Sequence, residues 1–161
     1  MEKEFIELIN THHGILWKIC NVYFYGSSYK EDYYQEILIR LWKAFPNFKG
    51  QSTFSTWMYR VALNAAIDIL RKLNVRPECV GLSGKEYDKA DNAETRSENY
   101  DKLYRAISTL PEAEKAVILL YLEEYEYKEI ATITGISEIN VGVKINRIKS
   151  KLNKILKNGK E

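Results

Sequence analysis

Apolar residues return every three or four positions along most of this chain, the period of an amphipathic helix, and the places where that period stops divide it into segments. Phe5, Leu8, Ile9, Ile15, Leu16, Ile19 and Val22 predict a first helix or helix pair, interrupted at Gly14. Gly26-Ser27-Ser28 reads as a turn, and a second helix runs from about Lys30 to Ala44. It should stop at Phe45-Pro46, because the residue before proline is pushed out of the α region. Lys49-Gly50-Gln51-Ser52 is a loop, and Ser52 or Thr53 can cap a third helix reaching about Leu73. Between Asn74 and Arg96 the period vanishes, and Pro77, Gly81, Gly84 and scattered charges take over. Helical spacing resumes near Glu98, with helices expected around 100–108, 111–123, 128–134 and 138–156. Pro111 suits a first helical position, where it loses no hydrogen bond, and Glu112 and Glu114 complement the helix dipole. The expected fold is all-α: two small helical domains, 1–73 and 98–161, joined by a flexible linker over 74–97. That tether can stretch about 80 Å at most, comparable with two turns of DNA, about 70 Å.

The segment 127–157 has the spacing of a helix-turn-helix. Ala131 is small where two helices cross, Gly135 suits the left-handed residue that ends the first, and Ser137 can cap the second. Glu126, where the first of these helices begins, is a poorer cap than Ser, Thr or Asp. Val141, Ile145, Ile148, Leu152 and Ile155 form one apolar stripe. From Asn140 to Lys160 there is no acidic residue, while Lys144, Arg147, Lys149, Lys151, Lys154, Lys157 and Lys160 are basic. A capped helix with a cationic outer face suits the DNA major groove, and DNA binding is the reading this segment favours over a merely solvated face that complements the helix dipole.

Composition narrows the classes without choosing among them. A net charge of +2 over 161 residues carries no nucleic-acid signal as a total, so any signal lies in its distribution. Cys20 and Cys79 stand far apart, which argues against a disulfide scaffold or zinc site and for a reducing cytosol. His12 and His13 are adjacent and point to different sides of a helix, a poor ligand geometry, so no metal or cofactor is expected. Glu2 and Glu4 spoil a cationic leader, and no apolar run reaches membrane-spanning length, so a soluble, cytoplasmic protein is expected.

Two surfaces in the first domain exceed what its core requires. Tyr34, Ile37, Leu38, Leu41 and Phe45 make a core stripe on the second helix, which leaves Asp32, Gln35, Glu36, Ile39 and Trp42 as a second stripe. Carboxylates beside an aromatic anchor suit a protein interface; the alternative is that Trp42 packs under the first helix. The other surface runs from Phe48 to Arg60, alternating aromatics, hydroxyls and cations, and continues along Arg60, Asn64, Asp68 and Arg71. Met58, Val61, Ala62, Ala65 and Ile69 form the opposite, apolar edge. Aromatic platforms beside cations can hold unstacked bases of single-stranded nucleic acid, or simply fill a small core.

Asp32-x-x-Gln35-Glu36, Leu41-Trp42-Lys43-Ala44-Phe45, Phe48, Phe54-Ser55-Thr56-Trp57-x-x-Arg60 and Asn64-x3-Asp68-x2-Arg71 together resemble region 2 of bacterial sigma-70 family factors. Leu110-Pro111-x-x-Glu114 with the helix-turn-helix resembles region 4 of the same family. The order, the tether and the lack of other regions resemble its extracytoplasmic-function (ECF) subgroup. The resemblance implies a non-enzymatic RNA polymerase sigma factor that binds core polymerase, recognises −10 and −35 elements and promotes DNA melting. It implies that Asp32, Gln35, Glu36, Ile39 and Trp42 dock on the clamp helices of the polymerase β′ subunit. Lys49, Gln51, Ser52, Thr53 and Phe54 match the loop that captures a flipped −10 base, and Trp57, Arg60, Asn64, Asp68 and Arg71 the helix beside it. Ser137, Glu138, Asn140, Val141, Lys144 and Arg147 fall on the −35 recognition helix, and Tyr121 on the module expected at the β flap. An anti-sigma factor is an expected partner. The family often has Lys or Arg just after the valine of the recognition helix; here Gly142 leaves Lys144 and Arg147 to meet phosphate and lets the backbone approach DNA.

Two rivals make different demands. A dimeric helix-turn-helix regulator would bind a palindrome without polymerase and would need no base-stacking loop. A nuclease would have to use His12, His13, Asp32 and Glu36, which form no metal or nucleophile constellation.

Overall fold

A computed structural model of the chain describes residues 1–75 and 98–158. The described residues hold seven α-helices and one 3-10 turn: α1 (Glu2–Tyr23), α2 (Lys30–Ala44), the turn Phe45–Asn47, α3 (Phe54–Val75), α4 (Glu98–Ser108), α5 (Glu112–Leu122), α6 (Tyr127–Thr134) and α7 (Glu138–Asn158). The chain divides into two compact units, Met1–Asp88 and Lys89–Glu161. The linker expected over 74–97 lies outside the described residues, apart from 74–75, which continue α3.

In the first unit the three helices pack against one another. Leu16, Ile19, Ile37, Leu41, Met58, Ala62 and Ala66 are fully buried, one apolar stripe from each helix. The expected break at Gly14 falls instead at His12, which leaves helical geometry at φ −111°, ψ 16° while the helix continues on both sides. The His12 ring lies 5.2 Å from Phe54. Its Nδ1–H donates to the Leu8 carbonyl at 2.9 Å, because a carbonyl can only accept. Helix α2 ends at Ala44, but not by the expected route: Phe45 stays right-handed at φ −56°, ψ −38° and the chain runs on into the 3-10 turn. Burial of the Phe45 ring and the tighter turn outweigh the clash with proline. Buried Asn21 is satisfied by Lys30, whose Nζ donates to Oδ1 at 2.9 Å. Burial pushes the Cys20 thiol up to about 12, so it stays protonated and inert.

In the second unit α5 is enclosed, with Ala116, Val117, Ile118, Leu119 and Leu120 all buried, and packs against α4, α6 and α7. Pro111 sits one residue earlier than expected, at the cap position, with φ −57°, ψ 152°. Its carbonyl accepts the Lys115 N–H at 3.0 Å. The far end of α5 closes with the Tyr125 N–H on the Leu120 carbonyl and the Glu124 N–H on the Tyr121 carbonyl, at 3.2 and 3.0 Å. That motif places a left-handed residue at Glu124, φ 65°, where glycine is the unstrained choice. Replacing Glu124 by glycine is therefore expected to raise the stability of this unit by about 1 kcal/mol, read as an increase in its unfolding midpoint.

Candidate nucleic-acid interface

The α2 face expected to meet a partner is exposed along its length: Asp32, Gln35, Glu36, Ile39 and Trp42 all lie at the surface. Ile39 is 52% and Trp42 41% exposed, large apolar areas with no cover among the described residues. The Trp42 ring also lies tilted against Phe5 of α1, centroids 5.0 Å apart, so it packs on the first helix while remaining partly exposed. Its rotamer is thereby held without hiding the ring.

The second surface is a loop on an aromatic floor. Residues Lys49, Gly50, Gln51, Ser52 and Thr53 are exposed, and Gly50 takes the left-handed φ of 70° that turns the loop outward. Thr53 caps α3, its Oγ1 accepting the Thr56 N–H at 3.3 Å. Phe54, placed by the sequence among the base-capturing residues, is buried at the start of α3. It lies 5.4 Å from Trp57, 5.8 Å from Phe48 and 6.3 Å from Phe45, so it supports the loop from below. Trp57 is half-buried on this floor, 5.2 Å from Phe48. The cluster reaches back through Phe45 and Phe5, 5.1 Å apart, to Trp42.

Beyond the loop, Arg60, Asn64 and Arg71 are exposed along one line of α3. Asp68, on the same line, is committed elsewhere. It accepts a 2.7 Å hydrogen bond from Arg40 and lies 3.3 Å from Lys72. Arg40 in turn donates to Glu36 at 2.9 Å, so one guanidinium ties the two helices together. The Arg40 bond, with help from Lys72, holds the Asp68 carboxyl below its usual range. A lowered folded-state pKa contributes stability above the ordinary aspartate value, and the contribution fades as pH falls through the lowered one. Arg40→Met should move the Asp68 titration up toward that ordinary value, read by carboxyl NMR. Global stability should change little, because the tie is open to solvent.

The helix-turn-helix is built as its residues require, with one device the sequence hid. Gly135 ends α6 at φ 77°, and the Ser137 Oγ accepts the Asn140 N–H at 3.3 Å to cap α7. Glu126 proves a competent cap for α6. Its side chain takes the Glu129 N–H while Glu129 Oε2 takes the Glu126 N–H at 3.1 Å, a reciprocal box built from two glutamates. On α7, Ser137, Glu138, Asn140 and Arg147 are exposed and Lys144 is half-exposed. Val141 is fully buried and cannot touch DNA; it belongs to the Ile145–Ile148–Leu152 stripe. Ile155 leaves that stripe and is 37% exposed.

The basic run is also sorted by the fold. Lys151 binds Glu114 at 2.9 Å, and Lys149 lies 4.5 Å over the Tyr121 ring, its ammonium held protonated by a hydrogen bond to that phenol. Lys144 and Arg147 make no ion pair among the described residues. Gly142 lies beside α6: a Cβ built there would meet the Tyr127 ring at 3.4 Å, ordinary contact distance. Gly142→Ala is accordingly expected to stabilise the unit by about 0.5–1 kcal/mol, measured as a higher melting midpoint.

Sequence reasoning passed over Arg40 and the exposed Ile139 and Val143 on α7. Projecting the apolar α7 stripe at 3.6 residues per turn puts Ile139 and Val143 on the opposite face, a signal the sequence itself carries. Among the described residues no three His, Cys, Asp or Glu side chains gather as a metal site needs, and no helix is long and apolar enough to cross a membrane.

Comparison with known proteins gives a consistent picture. The family model for sigma-70 region 2 matches residues 8–76, and that for sigma-70 region 4 matches residues 100–152. The chain is 27% identical to the ECF RNA polymerase sigma factor SigX of Bacillus subtilis, over 88% of this chain and 77% of that protein. It is 27% identical to the RNA polymerase sigma-H factor of Pseudomonas aeruginosa, over 92% and 83%. With the ECF RNA polymerase sigma-E factor of Escherichia coli it shares 31% identity over 63% and 60%. Among solved structures the fold resembles CnrH in complex with the cytosolic domain of CnrY, TM-score 0.68, 20% identity, covering 98% of this chain and 90% of that one. The sigma factor RpoE in complex with the anti-sigma factor NepR from Bartonella quintana gives TM-score 0.68 at 19% identity, covering 97% and 96%.

Proposed function

Because the chain belongs to the sigma-70 family of RNA polymerase sigma factors, in its ECF group, we propose a division of labour among the surfaces described above. As a sigma factor it is a transcription initiation factor that binds core polymerase and promoter DNA, and not an enzyme. Its work is done in the cytoplasm, where polymerase and promoter are.

In this division, residues 1–73 serve core polymerase and the −10 element, and 98–161 serve the −35 element. Asp32, Gln35, Glu36, Ile39 and Trp42 dock on the β′ clamp helices, with Trp42 as the aromatic anchor and the carboxylates setting register. Lys49, Gln51, Ser52 and Thr53 receive an extruded −10 base, Phe54 holding their loop in place. Trp57, Arg60, Asn64 and Arg71 follow the displaced strand, and Asp68 acts by orienting α3 through Arg40. Opening the duplex costs a few kcal/mol per unstacked step, and a stacked, edge-read base returns about 1–3 kcal/mol of that for the right sequence. Ser137, Glu138, Asn140, Lys144 and Arg147 enter the −35 major groove, where Asn140 suits adenine and Lys144 guanine. Tyr121 and the exposed Leu122 and Tyr127 present the second unit to the β flap. An anti-sigma factor that covered the α2 face would hold the protein inactive.

The observation that carries this reading is the match of region 2 and region 4, in order, to two separately packed units. The test is transcription from a pool of genomic fragments by core polymerase of the source organism, with and without the protein. Discrete new start sites that depend on the protein and weaken with Lys49→Ala support it. Absence of specific initiation, with tight binding of a palindromic duplex by the protein alone, would sink it in favour of the dimeric regulator.

A further inference from the structure

The outward face of the recognition helix is not wholly polar. Ile139, the second residue of α7, is 81% exposed, the highest value among the exposed large apolar residues described. Val143, one turn on, is 42% exposed. Residues four apart share a helix face, and this face lies opposite the buried Val141, Ile145, Ile148 and Leu152. Asn140, Lys144 and Arg147 flank it on one side, so the apolar pair is presented with polar and cationic neighbours. The N-terminal turns of such a helix are the part that reaches base edges. The only apolar group that the major groove offers is the C5-methyl of thymine.

We infer that Ile139 and Val143 are specificity-determining residues that select thymine at two positions of the −35 element through its methyl group. The inference rests on the placement of α7 in the −35 groove. It divides the readout: Asn140 and Lys144 recognise hydrogen-bonding edges, Arg147 anchors phosphate, and the apolar pair dehydrates methyl groups. Residues four apart on a helix span about 6 Å along its axis, roughly two base-pair steps of 3.4 Å. The two selected thymines should therefore lie one or two steps apart. Cytosine in their place would lose the methyl and bring an amino donor that neither side chain can accept.

The test uses holoenzyme assembled with the full-length protein and a promoter whose start site it has been shown to fire. Each −35 thymine is replaced in turn by deoxyuridine, which deletes only the methyl. Holoenzyme binding is then measured by competition. One or two thymines, at most two steps apart, are expected to show a loss of about fourfold, the effect of one buried methyl-sized group. Ile139→Ala should become indifferent to uridine at one of them and Val143→Ala at the other. Both side chains are exposed, so these variants fold. Uridine tolerated at every position, or equal sensitivity to uridine in wild type and both variants, overturns the inference while leaving −35 recognition in place. A scrambled −35 element that binds as well as the native one overturns both the inference and the placement of α7.

Discussion

Truncating Trp42 to alanine is expected to weaken core polymerase binding by about 30-fold or more, corresponding to about 2 kcal/mol or more. Aromatic anchors at the centre of an interface usually carry costs of that size, whereas rim charges do not. Trp42 is 41% exposed and its ring is tilted against Phe5 at 5.0 Å, so it is presented to a partner in a restrained orientation and loses little freedom on binding. The same contact means that Trp42→Ala also loses packing within the unit. Ile39→Ala separates the two effects, because Ile39 is 52% exposed. If the α2 face meets polymerase, both variants lose affinity in a titration of labelled core enzyme and only Trp42→Ala lowers the unfolding midpoint. Unchanged affinity in both would remove α2 from the interface.

Replacing Ile145 by alanine is expected to have the largest effect on folding. Ile145 is fully buried in the stripe that α7 turns toward its neighbours, and such truncations cost about 2–5 kcal/mol. The second unit is small, and units of its size have little stability to spare, of the order of 5 kcal/mol. A loss of about 3 kcal/mol lowers the midpoint of a domain this small by about 12–24 °C. Melting of the isolated protein followed by circular dichroism should then separate into two transitions, the second unit unfolding first. Transcription should lose its dependence on the −35 sequence while retaining core binding through the first unit. A single unshifted transition would show that α7 does not depend on this side chain.

The features that could be read from sequence were those set by local chemistry. Gly135, Ser137 and Thr53 take the turn and cap roles their side chains dictate, and the apolar period places the helices closely. What could not be read depends on neighbours remote in sequence. Asp68 lies on the same line as Arg60 and Asn64, and only the approach of α2 commits it to Arg40. Phe54 adjoins an exposed loop, yet His12, Phe45, Phe48 and Trp57 close around it. The kink at His12, not at Gly14, belongs with that packing, since a ring bonded to Leu8 and set against Phe54 constrains the backbone more than a permissive glycine does. Val141 is different: its place on the buried stripe already excluded it from the groove, and a residue on a regular helix cannot serve both faces. The glutamate box at the start of α6 escaped notice because a reciprocal cap needs only two acceptors three residues apart, and carboxylates supply them as hydroxyls do.

The aromatic floor has a spectroscopic consequence. Trp17, Trp42 and Trp57 are the three tryptophans of the chain, and all lie in the first unit. Trp42 lies on the α2 face, Trp57 beneath the loop, and Trp17 is 5.2 Å from Tyr34, with Lys30 Nζ 6.0 Å from its ring. The second unit holds only tyrosines as chromophores that absorb near indole. If the α2 face docks on polymerase and the loop captures a strand, red-edge excitation, selective for indole, would follow both events with no signal from the helix-turn-helix. Single Trp→Phe replacements would assign the emission to one surface at a time, so that the order of the two events could be timed in one cuvette without an added label.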